Sequence, residues 1–254
     1  MPALAIGTSI SLSTTTNTIV KTDIIQIEIS ITNEGDEVAL IELLSTQWDG
    51  RQWMALQKPI HLPPATSVSK LLEIPRKIFP RGRSHLIFNL DYKDRAGRSF
   101  SALAYAEVQI GQTSTELLKV KTNDLALDDT AFVYTEIQNQ SSNFISARLN
   151  LILPGELSIE GQQEEIDIDP RASQKFATGI KNVSALPGSQ YTGLVTIIYD
   201  VEDIRHSIVS PFRLDVTMPV TKNAHYRNQI LIILILWLSV IVVKELIGIW
   251  PFRR

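Results

Sequence analysis

The chain contains no cysteine. That absence removes disulfide scaffolds, thiolate zinc sites, iron–sulfur clusters and cysteine nucleophiles. Histidine is scarce: His61, His85, His206 and His225 are the only four, and no two lie close in sequence. No phosphate-binding glycine loop, GxGxxG turn, HExxH helix or GxSxG elbow occurs. The expectation is a protein that is not an enzyme, with no cofactor and no metal ion. Low-complexity composition is also absent. Apolar residues make up 44% and charged residues 20% of the 254 positions, which predicts a folded chain and excludes disordered or collagen-like architectures.

Charge is nearly balanced overall, at −3, but unevenly spread. Residues 112–219 hold 15 acidic and 8 basic side chains, while residues 220–254 hold 1 acidic and 5 basic. An acidic segment beside a basic, apolar tail excludes nucleic acid as the main partner.

The tail carries the longest apolar run. Ile230–Val243 has one hydroxyl, Ser239, and no charge. Extended to Trp250, the run reaches roughly 31 Å as a helix, enough to span a bilayer. Residues 229–250 are therefore expected to form a transmembrane helix, after a juxtamembrane linker at 220–228 and before a basic tail at 251–254. Tyr226 and Trp250 bracket the span as interfacial aromatics, with Arg227, Arg253 and Arg254 just outside. Residues 1–16 lack the basic and apolar regions of a signal peptide. This favours cytoplasmic placement of the rest, as in a tail-anchored protein; the flanking charges favour the reverse orientation by a single residue.

The remaining sequence repeats itself. Thr16-Asn17, Asp23, Asn33 and Pro64 recur 106 positions later as Thr122-Asn123, Asp129, Asn139 and Pro170. Pro80 and Tyr92 recur as Pro187 and Tyr199, 107 positions later. Two tandem domains are expected at 1–111 and 112–219. Each reads as short strands: Ile25, Ile27, Ile29 and Ile31 alternate with polar residues, and Leu86, Phe88, Leu90 and Tyr92 recur with the same period of two. Asn33-Glu34-Gly35-Asp36 and Asn139-Gln140-Ser141-Ser142-Asn143 mark turns. The predicted class is all-β: two tandem Ig-like antiparallel β-sandwiches followed by one C-terminal transmembrane helix.

The alternating Ile/Val strand, the Asn-x-Gly turn, the proline-marked turns (Pro80-Arg81-Gly82 and Pro187-Gly188) and the late Tyr-containing strand together resemble Ig-like domains of the CARDB or NEW3 type. The resemblance covers residues 16–110 and 122–218, and the second copy departs from it in having Ser141 where the first has Gly35. It implies membrane-anchored modules with adhesive or scaffold roles, and it carries no catalytic residues.

Within the first domain, Thr46-Gln47-Trp48-Asp49-Gly50-Arg51-Gln52-Trp53 reads as a hairpin, since Asp-Gly suits a two-residue turn. That register puts Trp48, Arg51 and Trp53 on one face. With Arg81 and Arg83, from a basic run through residues 70–98, they are the candidate partner-binding residues. The second domain has no tryptophan and is expected to act as a spacer. Its acidic residues Glu165, Asp167 and Asp169 alternate with isoleucines, as on the solvent face of a strand. The expected function is a membrane-anchored binding or scaffold protein with a protein partner. The alternatives are an accessory subunit of a membrane enzyme or transport complex, or a carbohydrate-binding surface module.

Overall fold

The computed structural model describes residues 10–48, 51–56, 58–112, 115–161 and 164–217. The predicted transmembrane segment 229–250 and its flanking residues Tyr226, Arg227, Trp250, Arg253 and Arg254 lie outside them. Among the described residues no helix is long and apolar enough to cross a membrane.

Residues 10–217 are built from strands. In repeat 1 these are β1 (Leu12–Val20), β2 (Ile24–Asn33), β3 (Ala39–Trp48), β4 (Arg51–Met54), β5 (Ile60–Leu62), β6 (Ser67–Pro75), β7 (Gly82–Lys93) and β8 (Ser99–Ile110). One 3₁₀ turn, Arg76–Ile78, sits between β6 and β7. Repeat 2 contains β9 (Leu118–Thr122), β10 (Leu125–Leu127), β11 (Thr130–Asn139), β12 (Ile145–Ile152), β13 (Leu157–Glu160), β14 (Glu164–Ile168), β15 (Ser173–Asn182), β16 (Gln190–Val201) and β17 (Ile204–Val216).

Each repeat stacks two sheets around its own core. In repeat 1 the sheet β1-β2-β6 faces the sheet containing β3, β4, β5, β7 and β8. The alternation in β2 works as read: Ile25, Ile27, Ile29 and Ile31 are buried, and meet Leu86, Phe88 and Leu90 of β7 within one apolar cluster. In repeat 2 the sheet β13-β15-β11-β9 faces β14-β12-β16-β17 with β10, around a separate cluster that includes Val133, Ile137, Ile180, Val195, Ile197 and Tyr199.

The repeat holds at the level of register. Ile29 pairs with Lys70, and Thr135 pairs with Phe176, both partners displaced by the same 106 residues. The two copies differ at two segments. β1 stays on β2 along its length, whereas its equivalent divides into β9, on β11, and β10, which pairs in parallel with β17. Arg51–Met54 forms β4 and folds back on β3, with Trp48 opposite Arg51 and Thr46 opposite Trp53. Its equivalent 106 residues later, Leu157–Glu160, instead crosses to the other sheet as β13 and pairs with β15. Pro154 stands where repeat 1 has Trp48. Proline has no N–H to give a hairpin ladder, so the chain turns away there.

The two repeats join through one sheet. Gly82 of β7 pairs in parallel with Arg205 of β17, and the Arg205 N–H donates to the Arg81 carbonyl at 2.8 Å. Gly82 has φ +102, and a Cβ there would lie 2.1 Å from the Arg205 carbonyl oxygen. Only glycine fits both demands.

Candidate functional site

The β3–β4 hairpin belongs to repeat 1 alone, and it carries the predicted Trp48 and Arg51. Trp48 is buried, at 9% exposure, and one face of its ring stacks on Phe79 with centroids 5.2 Å apart. Phe79 is held there because the 3₁₀ turn Arg76–Ile78 follows Pro75, and the Phe79 N–H donates to the Arg76 carbonyl at 3.1 Å. The result is a shallow depression of about 230 Å³ lined by Trp48, Arg51, Lys77 and Ile78. Arg51 and Lys77 are exposed. Neither makes an ion pair among the described residues. Two cations on an aromatic and aliphatic floor suit an acidic group borne on an apolar body. The indole is too covered to offer a stacking platform for a sugar ring.

The other predicted residues fall elsewhere. Trp53 shares the hairpin face but packs against the repeat 1 core. Arg81 and Arg83 flank Gly82 at the junction of the repeats. Arg83 forms ion pairs with Glu107, at 3.3 Å, and with Glu116 of repeat 2. The basic run through residues 70–98 is further broken up by the Lys93–Glu42 and Arg98–Asp94 ion pairs. Lys77, part of that basic run, and Ile78, which the sequence did not single out, complete the depression. Their signal was the Pro75 stop, which ends β6 and turns the next residues toward Trp48.

The junction itself is polar and buried. The Gly155 N–H donates to Ser101 Oγ, and Ser101 Oγ donates to Glu156 Oε2, both at 2.6 Å. His85 Nδ1 lies 3.0 Å from Ser207 Oγ. Burial lowers the His85 pKa to about 4, with the Arg83 charge adding to the effect. His206, stacked on Tyr199 at 4.7 Å, is also lowered, first by burial and then by Arg83. The Ser101–Gly155, Ser101–Glu156 and His85–Ser207 contacts bind repeat to repeat. In β14, Ile166 and Ile168 are buried while Glu165 and Asp167 are exposed, as is Asp169 just past its end, and among the described residues no three His, Cys, Asp or Glu side chains are grouped to hold a metal ion.

No family model matches the chain, and no curated protein matches it. Solved structures match distantly. Salmonella alpha-2-macroglobulin (a Y1175G mutant) aligns with TM-score 0.33 and 9% identity, over 82% of this chain and 16% of that one. Red sea bream transglutaminase aligns with TM-score 0.28 and 11% identity, over 82% of this chain and 31% of that one. The YadV chaperone aligns with TM-score 0.32 and 14% identity, over 74% of this chain and 92% of that one. The chain thus spans less than a third of the macroglobulin and transglutaminase chains, and no activity carries over at such scores.

Proposed function

We propose that this chain is a non-enzymatic, membrane-anchored binding protein that holds two Ig-like β-sandwiches as one stiff body and offers the Trp48–Arg51–Lys77 depression to an acidic segment of a protein partner. The observation that carries the reading is the pair of unpaired cations, Arg51 and Lys77, on an apolar floor. Charges on a folded surface are ordinarily dispersed or paired; two beside an open concavity raise the affinity for an anionic side chain. The polar junction supports the presentation role, since it ties the hairpin-bearing repeat to the repeat that precedes the apolar tail. The resemblance to CARDB and NEW3 modules accords with a scaffold role.

The test uses the full chain in its native membrane, with a photo-crosslinking residue at Ile78, which lines the depression. The expected result is one discrete adduct that disappears when Arg51 and Lys77 are both changed to Glu. Persistence of the adduct in that double variant, or no adduct at all, overturns the site. Alkaline carbonate extraction separately tests the anchor: the full chain is expected in the membrane pellet, and a chain ending at Thr217 in the supernatant.

A further inference from the structure

The outer face of the β13-β15-β11-β9 sheet differs from its counterpart in repeat 1. There, Gln26 and Glu28 of β2 lie opposite Glu73 and Leu71 of β6, and Gln26 Nε2 donates to Glu73 Oε1 at 2.6 Å. At the equivalent positions repeat 2 carries Phe132 and Tyr134 on β11, opposite Gly179 and Ala177 on β15. Phe132 is 56% exposed and Tyr134 54%. Each ring stands beside one of the two smallest side chains, so the face has an aromatic ridge on one strand and a furrow on the next. One register step further, Glu136 of β11 lies opposite Lys175 of β15.

We propose that this face is a homodimer interface, in which the β11 ridge of each copy seats in the β15 furrow of the other about a two-fold axis parallel to the strands. Such an axis, placed between β11 and β15, brings every cross-strand pair on the face into apposition with its own mirror. Phe132 meets the second copy's furrow at Gly179, Tyr134 meets it at Ala177, and Glu136 meets Lys175, each twice. The face is complementary to itself in both shape and charge, as an isologous contact must be. A two-fold perpendicular to the strands instead sets ring against ring and leaves Glu136 and Lys175 without opposite charges. Glu160 of β13 lies opposite Gly179 and overhangs it, so that Gly179 is buried; seating Phe132 there requires the exposed Glu160 side chain to move toward the sheet edge. With the axis parallel to the strands, both chains continue past Thr217 at the same end. Two chains held in one bilayer require that, although the surface itself stands on repeat 2 and not on the Trp48 site.

The chain's lack of cysteine makes the test clean. Ala177→Cys is introduced in the full chain in its native membrane and treated with a short bismaleimide. Leu71→Cys, the equivalent position on repeat 1, is the control. Ala177→Cys is expected to give a crosslinked dimer about tenfold more abundant than the control, since a well-packed aromatic contact carries most of an interface. Phe132→Thr with Tyr134→Thr, conservative for exposed strand positions, is expected to remove that excess. The charge pair is tested by mixing. Glu136→Lys or Lys175→Glu alone is expected to weaken crosslinking, and differently tagged copies of the two variants to crosslink with each other in preference to themselves. Equal crosslinking of Ala177→Cys and Leu71→Cys overturns the proposal. So does crosslinking between Ala177→Cys and Leu71→Cys copies, which signals head-to-tail contact, or an Ala177→Cys adduct only with other proteins or lipid. These outcomes are independent of the Ile78 adduct.

Discussion

Asn33 and Asn139 are one residue used twice. Asn33 Nδ2 donates to the carbonyls of Glu37 and Leu62 at 2.7 and 2.9 Å, and its Oδ1 accepts from the Gly35 N–H. Asn139 Nδ2 donates to Asn143 and Ile168 at 2.8 and 3.1 Å, and its Oδ1 accepts from the Ser141 N–H. Each of these three partners is displaced by the same 106 residues; Asn139 adds bonds to the Asp169 carbonyl and from Ser141 Oγ. Both side chains are almost fully buried, at 0% and 1% exposure. Each amide closes a turn and binds the loop before the third long strand of its copy.

Replacing either with alanine leaves buried backbone carbonyls and an N–H without partners. Each such change is expected to cost about 2–4 kcal/mol. Asn33→Ala destabilises repeat 1 and Asn139→Ala repeat 2. Urea denaturation of the full chain in detergent measures the loss. A shift below 1 kcal/mol in both variants contradicts this role.

Gly82 is the hinge of the junction. An alanine there drives Cβ into the Arg205 carbonyl and forces φ +102 on a residue that resists it. Gly82→Ala is expected to break the β7–β17 bridge while leaving both cores intact. Hydrogen exchange at the Arg205 amide should accelerate, and a single cooperative unfolding transition should split into two. Unchanged exchange at Arg205 shows that the bridge survives.

The junction also makes stability depend on pH. His85 has a side chain 7% exposed, packed by Ser207 with Glu107 Oε2 3.7 Å from Nε2. Its folded pKa of about 4 lies below the unfolded value of 6.5. Between these values the unfolded chain binds more protons, so stability is complete above pH 6.5 and declines as pH falls toward 4. The span corresponds to about 3 kcal/mol at most. His206 shifts in the same direction. His85→Gln is expected to flatten the decline between pH 6.5 and 4, read from urea midpoints at each pH. An equally steep decline in that variant assigns it to other groups.

Much of the fold was legible in the sequence because alternation and repetition are local signals. The isoleucines of β2 and the residues of β7 announced their buried face, and Asn33 and Asn139 marked equivalent turns. The Trp48–Arg51 register followed from Asp-Gly chemistry. What the sequence hid was set by contacts between distant segments. Arg83 looked like a surface cation until repeat 2 brought Glu116 against it. Lys77 entered the site because Pro75 ended a strand on the opposite sheet. The strand switch was encoded at one position, Pro154 against Trp48, yet it shows only when the two copies are laid in register.

That switch leaves β6 exposed. In repeat 2, β13 covers the edge of β15, but in repeat 1 the equivalent segment is β4, and among the described residues β6 pairs only with β2. An open edge invites a strand from another molecule. Two features of β6 oppose it. Pro75 has no N–H to donate, and Lys70 is half-buried on the side shared with Val68, Leu72 and Ile74, so an added strand would have to cover a charge. Lys70→Val with Pro75→Val removes both obstacles without touching the pairing with β2. This variant is expected to fold and to associate edge to edge, raising light scattering of the full chain in detergent severalfold at equal concentration. The reversion of either residue alone is expected to restore part of the resistance. If the double variant scatters no more than the unaltered chain, the edge is guarded by something other than these two side chains.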